Sequence, residues 1–507
     1  SGAYWRGGSK NKQLQRIYGT AFHSEKELKA YLKRQEEAAQ NDHRLLGKKL
    51  DLFWFNELSA GSPFFTPSGT KVYQSLQNFL REKYRKYEYE EVITPQIYHS
   101  DLFESSGHLH HFMDNMFAVL EENELEQTGF SHFFKTRPEV KNHLKQPQQK
   151  NPSNKPEPQN FRGATYNDNT KFPEGFSPKQ HQMYQGIRLL KPMNCPGHCL
   201  LYKKDRKSYR DLPWRVADFG RLHRREPAGA LQGLTRVKSF CQDDAHIFCR
   251  PDQLFEEIQT GLHMLEDIYQ TLGLNDYAIA LSTRPESRMG NEALWDQAEK
   301  ALKESLDDLK IPYKEQPGEG AFYGPKLDIN IKDSFARPWQ LGTFQCDFNL
   351  PEAFDLSYIN EQGEEERPVM VHRAIIGSLE RFMGVYLEHR KGRLPLWLCP
   401  TQVIILPLTD KEKDFCHKIQ INLAQSGIIC KIDGRNEKIS YKIREAQIRQ
   451  IPYMIIIGKK ETESGNVSLR LREGTQLNDL PLQTVQETIQ EEIQKKSLHS
   501  LFSKKQG

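Results

Sequence analysis

The sequence has no long hydrophobic run. Mean hydropathy is −0.74. The longest apolar stretches, VIILPL and YMIIIG, have the length of buried strands. Both fall far short of the roughly 20 residues a helix needs to span a bilayer, so no membrane partner is expected. A G-x-x-x-x-G-K-S/T loop is missing, which excludes a P-loop NTPase. No G-x-G-x-x-G follows a strand pattern, which argues against a dinucleotide fold. Eight cysteines show no paired framework and no secretory leader is visible, so reduced thiols in a cytoplasmic setting are expected. An excess of one charge is missing too. The balance of 71 Lys and Arg against 67 Asp and Glu leaves +4, which permits local nucleic-acid patches without arguing for them. At 507 residues, two or more domains are the default. Ser1-Gly2 reads as a cleavage scar, which would put the natural N-terminus upstream, with any targeting segment or further domain.

What is present divides into segments. Residues 24–41 have helix-forming composition behind an N-cap serine, Ser24. Residues 68–88 set Val72, Leu76, Phe79, Leu80 and Tyr84 on one helical face, and the strand EEVITP follows, stopping at Pro95. Between 121 and 181 the composition turns to Gln, Asn, Pro and Lys, and it predicts a disordered insertion that cannot bury enough apolar surface to order itself. Helices are expected over 251–272 and 290–310, strands in YAIALS, LDINIK, FQCDFNL and PVMVH, and a helix over 374–389. From about Trp397, VIILPL, GIICKID and YMIIIG alternate with helical patterns, a β-α-β-α-β order that predicts a small α/β domain. The boundaries so read are a linker and helical segment at 1–43, a large domain at 44–396, and a small one at 397–507, divided in the proline-flanked run Leu394 to Pro400.

Two constellations carry chemistry. The first is the stretch His223–Pro227, with Arg236 and Phe240–Phe248, read as one strand–loop–strand hairpin. Arginine forks hold phosphate or carboxylate oxygens in pairs, a flat ring suits a nucleobase, and Glu226 can take an exocyclic amine. Arg381, in GSLER, could add a second arginine. Singly, each arginine is better explained by a surface ion pair; the grouping carries the nucleotide reading. The second constellation is Cys195, His246 and His372. One Cys and two His are three good zinc ligands and leave a position open for substrate. Their spacing is long and irregular. The residues alone therefore leave two readings open: a zinc site, or a buried cysteine and two hydrogen-bonded histidines. Cys199 and Cys249 are possible wrong ligands.

The runs KPMNCPGHC, LHRREPAGAL, QDDAHIF, LSTRPE, EGAFYGPK and HRAIIGSLER resemble the threonyl-tRNA synthetases, a family of class II aminoacyl-tRNA synthetases, and the likeness extends over nearly the whole chain. The resemblance implies an α/β (α+β) fold. An antiparallel class II sheet flanked by helices would be followed by a small α/β anticodon-binding domain. It implies ATP-dependent activation of L-threonine and transfer to tRNA(Thr), with one catalytic Zn²⁺ on Cys195, His246 and His372 and Mg²⁺ accompanying ATP. Threonine would meet Met193, Asp244, Tyr323, Gln345 and Arg224. ATP would meet Arg224, Glu226, Arg236, Val237, Phe240, Gln340, Thr343 and Arg381, with Lys326 and Gln242 beside the reacting carboxylate and phosphate. His108 matches a family histidine that assists transfer to tRNA. A structural or solvated role is its rival, since His110 and His111 crowd it. Asn436, Glu461 and Arg470 would read anticodon bases, and Lys431, Arg435, Lys438, Lys442 and Arg444 could hold phosphate. The helix at 68–88 would form a homodimer interface.

A non-catalytic paralogue and another class II synthetase, such as a prolyl or seryl enzyme, are the competing readings. The intact motif arginines weigh against the first, and the Cys–His–His set with Asp244 against the second. Two departures from the family pattern stand out. Arg225 stands where an uncharged amide is common. No N-terminal editing domain precedes the catalytic part, so this polypeptide is expected to activate serine and not to deacylate seryl-tRNA.

Overall fold

The computed structural model describes residues 3–4, 12–14, 19–119, 187–286, 288, 292–321 and 323–504. The insertion expected at 121–181 lies outside them.

Two sheets organise the chain. The larger is nine-stranded: β1 (Glu90–Glu91), β2 (Trp214–Asp218), β3 (Arg221–His223), β4 (Ser239–Cys249), β5 (Tyr277–Ser282), β6 (Tyr313–Gln316), β7 (Lys326–Lys332), β8 (Pro338–Asp347) and β9 (Val369–Ser378). Their order is β6-β5-β7-β8-β9-β4-β2-β1, with β3 beside β4. Only β1–β2 and β5–β6 pair in parallel. One face is apolar: Ala245, Ile247, Leu327, Ile329, Phe344, Val371 and Ile375 share a core with helices Pro67–Lys86, Leu254–Leu272 and Leu379–His389. The period of two leaves the alternate residues of the same strands facing the other way, where the chemistry-bearing side chains lie.

The helix expected at 68–88 runs Pro67–Lys86. Thr66 caps it by accepting the Gly69 N–H at 3.1 Å, and a proline opens its first turn. Its apolar positions Val72, Leu76, Phe79, Leu80 and Tyr84 are all buried in the chain's own core. Three expectations are corrected. Residues 374–378 are strand, not helix: Ala374 is laddered between Asp244 and Thr343, and the helix starts only at Leu379 behind the Ser378 cap. The β-branched pair Ile375-Ile376 suits the ladder better than a helix. EEVITP contributes only Glu90–Glu91 to a strand. Lastly, the C-terminal sheet holds two strands beyond the β-α-β-α-β order.

That smaller sheet runs β11-β10-β12-β13-β14, from β10 (Val403–Pro407), β11 (Cys430–Ile432), β12 (Tyr453–Ile457), β13 (Asn466–Leu471) and β14 (Gln476–Pro481). β10, β11 and β12 are parallel and the last two strands antiparallel. It has its own apolar core, including Val403, Ile405, Ile419, Leu423, Ile455 and Val485. All eight cysteines are free thiols.

One buried polar cluster ties the larger sheet to the helix at 67–86. Asp243 accepts from Arg373 at 2.6 Å, from the Tyr84 hydroxyl at 2.5 Å, and from the Ile375 and Ile376 amides at 2.9 and 3.1 Å. Both charged side chains are fully buried. Asp243 sits where the β4–β9 register shifts, between Gln242 and Asp244, so its bonds to the β9 amides replace ladder bonds lost there.

Candidate active site

Register builds the site. Val216, His246, His372, Gln345 and Lys326 are successive ladder partners across five strands, from β2 to β7. Two residues along, the row Asp218, Asp244, Ala374, Thr343 and Asp328 runs parallel to it. Side chains two apart on a strand share a face, so His246 and Asp244, Gln345 and Thr343, and Lys326 and Asp328 all project to one side. Helix Cys195–Lys203 lies over this face. Its Cys199 and Tyr202 pack with Val216, Phe248 and Met370.

At the centre, one ring nitrogen each of His246 and His372 and the Cys195 sulfur lie within 4.8 Å of one another. His246 Nε2 and His372 Nδ1 are 2.9 Å apart. His372 Nε2 lies 2.8 Å from Asp347 Oδ2, and His246 Nδ1 lies 2.7 Å from Nδ1 of a third histidine, His198. These three ligand atoms fit a zinc ion, whose tetrahedral bonds space N and S ligands about 3.3–3.6 Å apart. Burial argues the same way. It drives the His246 imidazole well below its ordinary range, with the neighbouring His372 and His198 rings adding to the effect, and it pushes the Cys195 thiol well up. A thiol so placed becomes a thiolate only beside a cation. Asp244 stands next to this group and accepts from Asn194 Nδ2 at 2.9 Å; burial raises its pKa.

The remaining threonine-pocket candidates surround the group. The Tyr323 hydroxyl donates to Gln345 Oε1 at 3.2 Å, and its ring centroid is 6.1 Å from that of His372. Met193 Sδ is 3.2 Å from His108 Nε2, which is itself 3.9 Å from the Cys195 sulfur. His108 Nδ1 is 2.7 Å from the Ser106 hydroxyl. The histidine thus stands beside the pocket. The side chains of His110 and His111 lie outside the described residues.

The nucleotide candidates lie along β3, β4 and the loop between them. The Arg224 guanidinium sits over the Phe240 ring at 5.2 Å, and its Nε donates to the Pro192 carbonyl at 3.2 Å. Glu226 and Arg236 pair with each other at 2.7 Å. Arg381 Nε donates to the Thr235 carbonyl at 3.0 Å, which brings the helix at 379–389 to the same loop. Val237 and Phe240 pack with Leu222 beneath. Lys326 and Gln340 converge on Asp328, at 2.8 and 2.6 Å, and Thr343 is its ladder partner. Gln242 is laddered against Ser378, the residue immediately before the helix that opens at Leu379.

In the smaller sheet's unit the three anticodon candidates are spread. Asn436 is exposed in the turn before helix Ile439–Ile448. Glu461 caps helix Lys459–Ser464 and accepts from Ser468 at 2.7 Å, and Arg470 reaches Gln476 at 3.4 Å. Of the phosphate candidates, Lys442 is corrected. It is 3% exposed and its ammonium donates to the Pro407 carbonyl at 3.1 Å, because its helix turns that side toward the sheet. Arg435 is engaged by Asp433 and Glu445 at 2.6 and 3.1 Å.

Sequence reasoning missed His198, Asp347, Asn194 and Asp328, which hold the site residues in place. Only His198 left a signal: it sits three positions after Cys195 on the same helix, on neighbouring turns.

Comparison with known proteins gives consistent matches. Residues 184–390 match the profile of the class II tRNA synthetase core domain (G, H, P, S and T), and residues 402–492 that of the anticodon binding domain. A threonine–tRNA ligase of Bdellovibrio bacteriovorus is 49% identical over 504 residues, covering 99% of this chain and 67% of the relative. Threonine–tRNA ligase 2 of Bacillus subtilis is 42% identical over 499 residues, covering 98% and 68%. Among solved structures, the RNA binding domain of threonyl-tRNA synthetase from Cryptosporidium parvum superposes with a TM-score of 0.74 at 39% identity, covering 89% of this chain and 98% of that one. A prolyl-tRNA synthetase from the same organism, at 15% identity and a TM-score of 0.60 over 92% and 77%, shares the fold.

Proposed function

The chain belongs to the threonine–tRNA ligase family, and from that premise we propose that it activates L-threonine with ATP and transfers the threonyl group to tRNA(Thr). The observation that carries the amino-acid assignment is the convergence of Cys195, His246 and His372 within 4.8 Å beside Asp244. Threonine and valine are nearly isosteric, and an apolar pocket separates such a pair poorly. A zinc ion held by those three residues would supply an open coordination position for the amino and hydroxyl groups of threonine, one of which valine lacks.

The chain's own side chains do the rest. The Asp244 carboxylate accepts the threonine hydroxyl proton in a hydrogen bond, oriented by Asn194. Tyr323, Gln345 and Met193 close the pocket around the methyl group. Arg224 spans the threonine carboxylate and the α-phosphate, bringing attacking oxygen and phosphorus together; Gln242 and Lys326 add hydrogen bonds there. Glu226 takes the adenine amine beside the Val237 backbone, Phe240 and Arg381 flank the base, and Arg236 and Arg381 neutralise the γ-phosphate, with Mg²⁺ accompanying ATP. Gln340 and Thr343 meet the ribose. In-line displacement of this kind is catalysed mostly by positioning and charge neutralisation. His108 is assigned to the second step, taking a proton from the tRNA terminal ribose.

The unit from about residue 397 is assigned to anticodon recognition through Asn436, Glu461 and Arg470. Homodimer contacts are assigned to the region of the 67–86 helix. Its apolar side is internal, so its outer side and the nearby exposed Ile93 and Ile97 would make them. Among the described residues no helix is long and apolar enough to cross a membrane. Eight unpaired thiols suit a reducing compartment such as the cytoplasm.

Threonine-dependent ATP–pyrophosphate exchange, repeated after chelation and after zinc is restored, tests the assignment. Exchange that needs threonine, vanishes on chelation and returns with zinc supports it. Exchange with another amino acid, or indifference to chelation, overturns it.

A further inference from the structure

Two buried imidazoles, a partly buried one and two carboxylates form one chain through the site. Asp347 Oδ2 lies 2.8 Å from His372 Nε2, and His372 Nδ1 lies 2.9 Å from His246 Nε2. His246 Nδ1 lies 2.7 Å from His198 Nδ1, and His198 Nε2 faces Asp218 Oδ2 at 3.8 Å. His198 is 0% exposed, and its Nε2 has no hydrogen-bond partner.

The number of protons along this chain is limited. A carboxylate only accepts, so His372 turns its single N–H toward Asp347, and the Asp218 carboxylate, too distant at 3.8 Å for a hydrogen bond, still favours the N–H on the His198 nitrogen that faces it. An acceptor lone pair then remains on His372 Nδ1 and another on His198 Nδ1, with His246 between them. A neutral imidazole has one N–H, so His246 can satisfy one of these acceptors and not both. If it donates to His372, lone pairs oppose each other at the 2.7 Å contact with His198. If it donates to His198, lone pairs oppose each other between His246 Nε2 and His372 Nδ1, beside the Cys195 sulfur. Only a cation relieves the second arrangement, and only the second leaves all three ligand atoms free to hold one.

We propose that His198 is a positioning residue for the metal centre. By accepting the Nδ1–H of His246, it turns the Nε2 lone pair of that ring toward Cys195 and His372, with the charge of Asp218 favouring the Nε2–H tautomer of His198 from behind. Hydrogen-bond partners of metal-ligating histidines commonly act in this way. The inference rests on the zinc reading of the site and extends it to a residue that is not itself a ligand.

The test uses the full chain, stripped of metal by a chelator and titrated with zinc against a chromophoric competitor. Cobalt absorption serves as a second, spectroscopic readout of tetrahedral Cys–His coordination. His198→Asn keeps an acceptor oxygen near the Nδ1 position; His198→Leu has similar bulk and no acceptor. The leucine protein is expected to hold zinc about 10–100-fold more weakly and to show an altered cobalt spectrum, and the asparagine protein to stay within about threefold of the parent. Leucine binding as tight as the parent's, or asparagine binding as weak as leucine's, overturns the proposal. Should the leucine protein not fold, the asparagine protein decides alone: parent-like affinity and spectrum support the proposal, and anything weaker overturns it. A parent chain that takes up no metal overturns the zinc reading, and this inference with it. A parent that binds normally while His198 proves indifferent overturns this inference only.

Discussion

The Glu226 carboxylate holds the Arg236 guanidinium at 2.7 Å, although the two residues are assigned to opposite ends of ATP. The pair neutralises two groups at the rim of the site, and nucleotide bound in the proposed way would part them. Arg236 is half exposed, so parting it costs little Coulomb energy in water.

Arg236→Ala should therefore act on ATP alone. Loss of a charge-assisted hydrogen bond to phosphate costs about 1.5–3 kcal/mol, or roughly 10–150-fold in kcat/KM for ATP. The KM for threonine should stay within about twofold. Pyrophosphate-exchange kinetics with each substrate varied in turn check this. An equal loss for both substrates would mean that the loop had moved as a whole.

Asp244 is buried beside the proposed metal ligands and accepts from Asn194. Asp244→Ala should collapse the preference for threonine over valine. A site that hydrogen-bonds a hydroxyl can discriminate by about 10⁴–10⁵, so loss of one acceptor should lower threonine activation by at least about 100-fold while valine changes little. Parallel losses for both amino acids would assign Asp244 a structural role.

His108 stands 3.2 Å from Met193, beside the pocket. His108→Ala should slow threonyl transfer to tRNA by about 10²–10⁴-fold, the usual range for a general base, and leave pyrophosphate exchange near the parental rate. Single-turnover transfer from preformed adenylate measures the first and steady-state exchange the second. If both fall together, the base assignment fails.

Asp243 and Arg373 form an ion pair at 2.6 Å with no exposed surface on either side chain. Asp243→Asn leaves a buried guanidinium uncompensated, which costs about 3–5 kcal/mol. Denaturant unfolding should show that loss in the transition of the larger sheet. A change under about 1 kcal/mol would mean that water reaches the site.

Glu388 supplies a pH dependence. Burial pushes its carboxyl up, but hydrogen bonds from the His43 ring and backbone and from Arg337 outweigh that, leaving it below its ordinary value of 4.5. A depressed carboxylate contributes stability that is complete above its unfolded pKa and lost as pH falls through the folded one. Stability should decline below about pH 4.5, and Glu388→Gln should remove part of that decline. Identical pH profiles for parent and variant would exclude Glu388 as a source.

Much was legible in the sequence because it is encoded locally. Ser24 caps the helix it precedes, and apolar periodicity placed the inner side of the 67–86 helix. Local signals failed where long-range pairing decides. AIIGS reads as the start of a helix until Ala374 is seen laddered between two strands. Lys442 reads as a solvated cation until the sheet covers it.

By itself the sequence determined which residue types could bind ATP and a metal, and that a class II core precedes a smaller α/β unit. Only the tertiary structure decided that His246 and His372 lie side by side though 126 residues apart, and that His198 stands behind them. The physical reason is that ladder register sets which side chains become neighbours, and register depends on pairing between distant segments. The orientation of the His372 ring, and with it which nitrogen faces His246, is tied to Asp347, whose place in the chain gives no hint of that contact.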